Sequence, residues 1–335
     1  MPPLEDGDAL LRVERFGMTA NNATYAVMGE AMDYWSFFPA DDGWGRLPVW
    51  GFAEVAESRC AGVEPGLRVY GYLPAASHLR VRPAHVDDRG FVDASAHRAA
   101  LPSAYNGYLA TELDPVHRPD TEALQMLLRP LFFTSFLLDD QIVDDGLSAG
   151  GPIVISSASS KTALAAAFLL SRRDGVELVA LTSPSRMEFV ESLDVYDRVV
   201  AYEEIGSLAR SNASYVDVSG DAGVRAAVHR HFGDELRASI AVGVTHWENF
   251  TGAAEALPGP PPALFFAPDR AAKRSEDWGR DELERRVAEA WHPFCAWAGD
   301  WLETVPGHGF EAVRAAYLEV LEGRVGSARA HVLVV

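Results

Sequence analysis

The pattern of apolar and polar positions divides the chain into two kinds of region. Up to about residue 82, short segments of loosely alternating character are separated by Gly and Pro, which is typical of β-strands joined by turns. Strands are predicted at 10–16, 49–55, 67–73 and 78–82. We interpret this first region as a small antiparallel barrel or sandwich.

The pattern changes at 119–143, where apolar residues spaced for one side of a helix predict a long helix, with Pro130 as the place where it would break. From Gly150 onward, short apolar strands alternate with helices, which predicts a parallel sheet covered on both faces. The predicted strands are 152–156, 177–182, 198–201, 215–218 and 239–244, and the helices between them are 162–172, 185–193 and 222–231.

The last part of the chain is predicted to contain two helices and a strand that pairs with the N-terminal β region. Helices are predicted at about 280–298 and 310–322, after the break P-G-P-P-P at 258–262. The chain ends in the apolar segment A-R-A-H-V-L-V-V. A single strand after helices must pair with another strand, so we expect it to join the N-terminal β region.

Composition and charge exclude several classes of protein. The 335 residues carry 29 Lys+Arg and 48 Asp+Glu, a formal net charge of −19, which should repel a phosphate backbone and argues against nucleic-acid binding. No apolar run approaches the roughly 20 residues that a membrane span needs, and the acidic N-terminus lacks the features of a secretory signal. We therefore expect a cytoplasmic protein without a membrane partner, and leave a homodimer open.

Metal chemistry finds little support in the sequence. The two cysteines, Cys60 and Cys295, are far apart, and the chain contains no H-E-x-x-H or C-x-x-C motif. We predict no metal site. His229 and His231 are expected on a solvated helix face, whereas His246 follows a predicted strand at its carboxyl end, where doubly wound folds bind ligands.

A glycine-free loop joins the strand at 152–156 to the next helix. Loops at this place present helix N–H groups to phosphates, normally with a glycine-rich sequence. Here it reads S-S-A-S-S-K-T, and Lys161 is one of only two lysines in the chain. The hydroxyls and Lys161 could bind an anion, and a solvated helix start capped by serine is the alternative. The segment G-L-S-A-G at 146–150 fits a nucleophile elbow, but a strand follows it rather than precedes it, so we interpret it as a turn.

The residues that follow the predicted strand 177–182 indicate which cofactor would bind. An acidic residue there favours NAD, whereas Arg or Ser suits the 2′-phosphate of NADP. Ser183, Ser185 and Arg186 follow this strand with no carboxylate beside them. A helix cap with a surface arginine is the alternative interpretation.

The order of parts and four segments resemble the zinc-independent, quinone-oxidoreductase-like branch of the medium-chain dehydrogenase/reductase superfamily. V-E-P-G-L-R-V-Y-G-Y at 63–72 resembles a turn of its GroES-like barrel, and R-P-L-F-F-T-S at 129–135 resembles its long helix. The segment P-I-V-I-S-S-A-S-S-K-T-A-L-A-A-A-F-L-L-S-R-R at 152–173 resembles its strand, glycine-rich loop and helix, and the segment 176–204 resembles its next strand and phosphate-reading region. Gly51-Phe52-Ala53-Glu54 replaces the zinc-binding Gly-His-Glu, and 101–119 is interpreted as an insertion.

The resemblance implies an α/β fold with a GroES-like β-barrel domain (1–125 and 260–335) and a Rossmann-like domain with a doubly wound parallel sheet (126–259). It implies that Thr134 approaches the nicotinamide carboxamide. The predicted cofactor-binding residues for NADPH are Thr134, Ser157, Ser159, Ser160, Lys161, Thr162, Ser183, Ser185, Arg186, Tyr202, Ser219, Gly243 and Thr245.

The function expected from these features is NADPH-dependent reduction of a small carbonyl or enone compound. Without zinc, the developing oxyanion needs protein hydrogen-bond donors. The candidates for catalysis are Tyr25, Tyr105, Asn106 and His246, with Tyr108 as a further pocket wall. Because the loop glycines are missing, a lyase or isomerase on the same fold, or a non-enzymatic ligand-binding protein, is an alternative.

Overall fold

The structure, a computed structural model, describes residues 3–41, 43–242 and 257–335. The chain divides into two compact units, of which the first comprises Met1–Arg129 with Cys295–Val335 and the second comprises Pro130–Phe294. The domain boundaries expected from the sequence, at residues 126 and 260, stay a prediction.

The helices in the described ranges are α1 Ala20–Val27, α2 Glu122–Asp144, α3 Lys161–Leu170, α4 Met187–Glu191, α5 Ala222–Phe232, α6 Ala267–Trp278, α7 Arg280–Trp301 and α8 Gly309–Leu321. The strands are β1 Ala9–Met18, β2 Pro48–Ser58, β3 Arg68–Pro74, β4 His78–Val81, β5 Pro83–Asp87, β6 Gly90–Asp93, β7 Gly107–Ala110, β8 Ile153–Ser156, β9 Leu178–Thr182, β10 Arg198–Ala201, β11 Ala213–Asp217, β12 Leu236–Ala241, β13 Ala263–Leu264, β14 Glu303–His308 and β15 Arg329–Val334.

The first unit is built on a nine-stranded sheet in the order β14-β15-β1-β2-β3-β7-β6-β5, with β4 paired to β1. Its neighbours pair antiparallel except β14 and β15, which run parallel. The terminal strand β15 pairs with β1, so Phe16 lies opposite Leu333, and this confirms the predicted return of the chain. Both side chains are buried in the core of the unit.

The segment 101–119, expected as an insertion, contributes a strand to the interior of this sheet. Strand β7 lies between β3 and β6, with Gly71 opposite Tyr108 and Phe91 opposite Tyr108 on the other side. Tyr108 is fully buried, and its hydroxyl donates a 2.7 Å hydrogen bond to the carbonyl of Tyr72. Tyr108 is therefore a core residue, and its expected place in a pocket wall is wrong.

The second unit contains a six-stranded sheet in the order β10-β9-β8-β11-β12-β13, all parallel. All four residues of β8 are buried, as expected for a central strand that helices cover on both faces. Helix α2 runs without a break through Pro130, so the break expected there is wrong. At its C-terminal end, Asp140 accepts hydrogen bonds from Arg270 (2.6 Å) and Arg274 (2.7 Å) of α6.

Candidate functional site

The site expected for a nucleotide lies at one edge of the parallel sheet in the second unit. Because β8, β9, β10 and β11 run in the same direction, the loops after them meet at the carboxyl edge. Most of the predicted cofactor residues belong to these four loops. The topology thus brings together residues that are up to about sixty positions apart in the sequence.

The loop after β8 turns into α3 through an unusual backbone conformation. Ser157 has a φ of 52°, in the left-handed region that glycine adopts without strain. Its N–H donates a 3.0 Å hydrogen bond to the hydroxyl of Tyr202, which follows β10. The position where glycine would be expected is therefore a serine held in place by a tyrosine from another loop.

Ser160 caps the helix that follows. Its hydroxyl oxygen accepts a hydrogen bond of 3.3 Å from the N–H of Ala163, and its own N–H donates to the carbonyl of Ser157 at 2.8 Å. This is the serine-capped helix start that the sequence offered as the alternative. The cap uses the oxygen of Ser160 as an acceptor, and the hydroxyl proton stays available for donation. Ser159 and Thr162 are partly buried in the same turn.

Lys161 and Arg186 place two positive charges at neighbouring strand ends. Lys161 begins α3 after β8, and Arg186 ends the single turn Pro184–Arg186 after β9; both are partly buried. Burial, together with the positive charge of Arg186, lowers the pKa of Lys161 from 10.5 to about 8. The positive charges of Lys161 and Arg186 repel each other, and partial burial makes this repulsion stronger than in water. An anion bound between them would stabilise both charges.

The turn after β9 contains no acidic residue between positions 183 and 187. The hydroxyls of Ser183 and Ser185 lie 3.2 Å apart, and Pro184 begins the turn. A carboxylate at this place would repel a 2′-phosphate, whereas hydroxyls and a guanidinium can donate hydrogen bonds to it. The binding of a 2′-phosphate by Ser183, Ser185 and Arg186 stays a prediction.

A buried ionic network fixes the loop after β11, and sequence reasoning missed it. Asp217 accepts hydrogen bonds from the hydroxyls of Ser156 (3.0 Å) and Ser219 (2.8 Å) and from Arg225 Nε (2.8 Å). The Ser156 hydroxyl in turn accepts from the N–H groups of Val218 and Ser219, at 3.1 and 3.2 Å. Ser219 is therefore committed to the structure of its own loop. One signal in the sequence could have revealed this network: Asp217 lies at the end of a strand, and Arg225 lies in the first turns of the helix that follows.

The remaining predicted cofactor residues do not belong to the four loops at the carboxyl edge of the parallel sheet. Thr134 lies in α2, where its hydroxyl donates to the carbonyl of Pro130 at 3.1 Å, one turn earlier. The next residue, Ser135, lies 2.9 Å from the carbonyl of Thr162 and so joins α2 to the start of α3. Three further predicted residues, Gly243, Thr245 and His246, lie outside the described residues.

Tyr25 and Tyr105, predicted as catalytic, belong to one aromatic cluster in the first unit. The cluster comprises Tyr25, Tyr34, Phe37, Phe38, Trp50, Tyr72 and Tyr105. Tyr72 is its central ring, with the ring centroids of Tyr105 and Trp50 at 4.8 and 5.1 Å. The Tyr25 hydroxyl accepts hydrogen bonds from Asn21 (2.8 Å) and Trp50 Nε1 (3.2 Å), and burial raises its pKa far above 10. It is neutral at physiological pH and retains its proton for donation.

Asn106 lies beside this cluster rather than in it. It is buried, and its side-chain oxygen accepts a 3.4 Å hydrogen bond from the buried Arg98. Its backbone carbonyl accepts from the N–H of Asp93 at 2.8 Å. Asn106 therefore helps to hold a buried ion pair, since Arg98 Nε lies 3.1 Å from an oxygen of Asp93.

The structure corrects the expectation for His229, which is fully buried instead of solvated. Its two ring nitrogens lie 2.9 Å from the carbonyl of Pro258 and 2.9 Å from the hydroxyl of Ser239. It is a satisfied core histidine of the second unit. His231 is partly buried, and its Nε2 lies 3.0 Å from the carbonyl of Leu208.

Within the described ranges, no three His, Cys, Asp or Glu side chains are arranged to hold a metal ion. Among the same residues, no helix has the length and apolar character that crossing a bilayer demands. The segment 146–150 forms a turn, as predicted, with its two outer glycines at positive φ.

Several solved structures share the fold over almost the whole chain. CurA from Vibrio vulnificus is 14% identical, with a TM-score of 0.56 over 100% of this chain and 91% of that one. The enoyl reductase CurK is 13% identical, with a TM-score of 0.55 over 100% and 94%. YhdH from Escherichia coli K-12, solved with bound NADPH, is 15% identical, with a TM-score of 0.52 over 100% and 95%. No curated protein matches the chain.

The fold is that of the medium-chain dehydrogenase/reductases, with a GroES-like domain and a Rossmann-like domain, as the sequence predicted. Within this fold the chain belongs to a particular family. Residues 16–326 match the family described as "Protein of unknown function (DUF2855)". The family description names neither an activity nor a cofactor.

Proposed function

We propose that this protein is an NADPH-dependent oxidoreductase that reduces a small carbonyl or enone compound by hydride transfer, without zinc. The observation that carries the proposal is the juxtaposition of Lys161 and Arg186 at the ends of adjacent parallel strands. Such strand ends are where doubly wound folds bind the phosphates of a dinucleotide. The NADPH bound in E. coli YhdH, which shares the fold, supports the choice of cofactor.

The residues present fit a phosphorylated dinucleotide, although the loop lacks glycine. Lys161 at the start of α3 supplies a full positive charge to a pyrophosphate, in addition to the helix dipole. The hydroxyls of Ser159 and Ser160 can donate to phosphate oxygens. Arg186, with Ser183 and Ser185, would hold the 2′-phosphate, because a guanidinium forms charge-assisted hydrogen bonds with phosphate.

One feature of the loop weakens binding. The N–H of Ser157 already donates to the Tyr202 hydroxyl, so this donor is withdrawn from a phosphate unless Tyr202 moves. The charge of Lys161 offsets the loss of this donor. In a glycine-rich loop, backbone N–H groups can approach the phosphates closely. In this protein we expect the affinity for NADPH to depend more strongly on the charges of side chains.

Bound NADPH would supply the hydride. The residues of this chain would bind and orient the nucleotide and stabilise charge on the substrate oxygen. Tyr25 and Tyr105 are the donors that we assign to that oxygen. Both phenols have pKa values raised by burial, which keeps them protonated. The Tyr105 hydroxyl, which donates to that of Tyr34 in the free protein, would exchange this hydrogen bond for one to the substrate.

Two measurements test the proposal. Mass spectrometry of nucleotide released from purified protein should find NADP(H), and a panel of ketones and enones should include one that consumes NADPH, followed by its absorbance. Nucleotide binding with no NADPH consumption on any carbonyl would favour the alternative of a lyase, an isomerase or a ligand-binding protein. The observation that supports this alternative is the Ser157 N–H, which already donates to Tyr202 instead of being available to a phosphate. No nucleotide and no stabilisation by added NADPH would overturn the proposal.

A further inference from the structure

A buried hydroxyl without a partner lies at the centre of the aromatic cluster. Tyr72 is fully buried, and its hydroxyl has no hydrogen-bond partner in the structure. A buried polar group left unpaired costs roughly 1–3 kcal/mol, so native proteins seldom keep one without a use. The backbone of Tyr72 is fixed in β3, where it lies opposite Trp50 of β2.

A second unpaired donor borders the same rings. Arg98 is almost fully buried, and its Nη2 has no partner. Its guanidinium carbon lies 5.7 Å from the ring centroid of Phe37 and 4.9 Å from that of Phe38. The ring of Tyr72 lies 5.3 and 5.6 Å from the same two centroids. Two unsatisfied donors thus share one pair of aromatic neighbours.

We infer that this cluster binds a neutral, planar aromatic ligand whose carbonyl oxygen accepts hydrogen bonds from the Tyr72 hydroxyl and Arg98 Nη2. The flat rings of Phe37, Phe38 and Tyr72 give stacking and edge contacts to another ring. The oxygen is that of a neutral carbonyl rather than a carboxylate, because Asp93 already balances the charge of Arg98 at 3.1 Å. This inference concerns binding of the ligand alone and does not require that the ligand be reduced.

The cluster also has a side through which a ligand can enter. Trp50 and Tyr105 are only partly buried, unlike Tyr72 at the centre. Tyr105 ends the short turn Ser103–Tyr105, whose first two residues are exposed. Its ring lies 4.8 Å from that of Tyr72. A ligand ring would enter on this side of the cluster, where Trp50 and Tyr105 border Tyr72.

Isothermal titration calorimetry without NADPH tests this site with three matched probes. Acetophenone has the ring and the carbonyl, cyclohexyl methyl ketone has a saturated ring, and benzoate has a charged oxygen group. We expect acetophenone to bind at least about 5-fold more tightly than either of the other two. Equal binding of the two ketones, or tighter binding of benzoate, would overturn the inference.

The variant Tyr72→Phe separates a ligand-binding hydroxyl from a structural one. Since the hydroxyl has no partner in the free protein, its removal should leave the melting temperature unchanged or raise it, while acetophenone binds about 5- to 10-fold more weakly. The control Tyr317→Phe, in α8 of the same unit and outside the cluster, should leave binding unchanged. A lower melting temperature with unaltered binding would show that the Tyr72 hydroxyl serves the fold alone.

The outcome is independent of the reductase proposal. Acetophenone binding that is weakened in Tyr72→Phe, with no NADPH consumption on any carbonyl of the panel, would establish the site and refute the reductase function. NADPH consumption on aliphatic carbonyls, with no binding preference for acetophenone, would leave the reductase function intact and refute the aromatic site.

Discussion

The backbone N–H of Ser157, after β8, donates a 3.0 Å hydrogen bond to the hydroxyl of Tyr202, after β10, across the one intervening strand β9. The bond ties the loop after β8 to the segment after β10. It stabilises a serine at a φ of 52°, where a side chain costs energy that glycine would not incur. It also occupies an N–H group that would otherwise be available to a phosphate, so we expect Tyr202 to affect both stability and cofactor binding.

We predict that Tyr202→Phe lowers the melting temperature of the free protein by a few degrees. The variant leaves the Ser157 N–H without its acceptor, which costs about 1 kcal/mol for a partly buried donor. Saturating NADPH should reduce this deficit, because a phosphate oxygen then accepts from the same N–H. Differential scanning calorimetry with and without NADPH measures both effects.

The matched control for Tyr202→Phe is Tyr196→Phe. The Tyr196 hydroxyl donates to the carbonyl of Ala158 at 3.2 Å and is a structural partner of the same loop. Its loss should lower the melting temperature equally with and without NADPH. If Tyr202→Phe behaved in the same way as this control, the Ser157 N–H would not be a phosphate donor.

Arg186→Ala should abolish a preference for NADPH over NADH. A charge-assisted hydrogen bond to the 2′-phosphate contributes about 1.5–3 kcal/mol, or roughly 10- to 200-fold in affinity. NADH affinity should stay unchanged, because NADH lacks this phosphate. Fluorescence titration of both reduced cofactors measures the two dissociation constants.

Arg198→Ala is the control for the charge change, since Arg198 begins β10 at its opposite end and is exposed. It should keep the wild-type preference. Equal affinity of the wild type for NADPH and NADH would contradict the assignment of Arg186, and so would an undiminished preference in Arg186→Ala.

NADPH affinity should fall as the pH rises from 7 to about 9.5. Lys161, with its pKa lowered to about 8, is charged at pH 7 and largely neutral at pH 9.5, whereas Arg186 remains charged. Phosphate is already fully ionised above pH 7, because its second pKa is about 6. We expect a loss of roughly 10-fold across this range, measured by titration at each pH.

Lys161→Met is the matched variant for this pH dependence. It should bind NADPH about 10-fold more weakly at pH 7, with an affinity that hardly changes up to pH 9.5. Circular dichroism checks that the fold is intact. An unchanged affinity at pH 7 would mean that the loop does not bind the pyrophosphate.

The effect of Lys161 on the unfolding free energy changes with pH in the opposite direction to its effect on NADPH affinity. In the unfolded chain Lys161 titrates near its ordinary 10.5, so between about pH 8 and 10.5 the unfolded state binds more protons than the folded state. The contribution of Lys161 to the unfolding free energy therefore becomes more favourable as the pH rises through this window. Lys161→Met should remove that trend from chemical denaturation curves of the free protein.

We predict that the purified, untagged protein contains no stoichiometric zinc. The prediction rests on two observations: residues Gly51 to Glu54 of β2 stand where the superfamily resemblance implies a zinc-binding Gly-His-Glu, and the two free cysteines are far apart in the sequence. Cys60 is partly buried and Cys295 is buried, in different parts of the chain. Elemental analysis after treatment with a chelator measures the metal content. Zinc retained at one equivalent per chain would refute the prediction.

The sequence predicted the alternation of strands and helices in the second unit because a buried parallel sheet needs continuous apolar strands. The segment Arg198–Ala201 was predicted with its observed bounds. The loop after β8 could be located in the same way, since a strand followed by a helix must have a turn between them. The charges of Lys161 and Arg186 could be expected at one edge because parallel strands end on the same side.

The interior of the first sheet could not be derived from local pattern. Strand β7 is only four residues long and contains two large side chains of different environment, so nothing in the segment 101–119 distinguishes it from a loop. Its neighbours β3 and β6 are 33 and 14 residues away, counted from Pro74 and Asp93 to Gly107. Pairing of this kind is set by tertiary packing, which alone made Tyr108 a core residue.

The sequence by itself determined the fold class, the strand ends where a nucleotide would bind and the residue types available there, because periodicity and chain order encode them. The tertiary structure alone decided which groups are already occupied. It assigned the Ser157 N–H to Tyr202, committed Ser219 to Asp217 and left the Tyr72 hydroxyl unpaired. Hydrogen-bond satisfaction is a property of three-dimensional neighbours, and those neighbours are 45 residues apart for Ser157 and Tyr202.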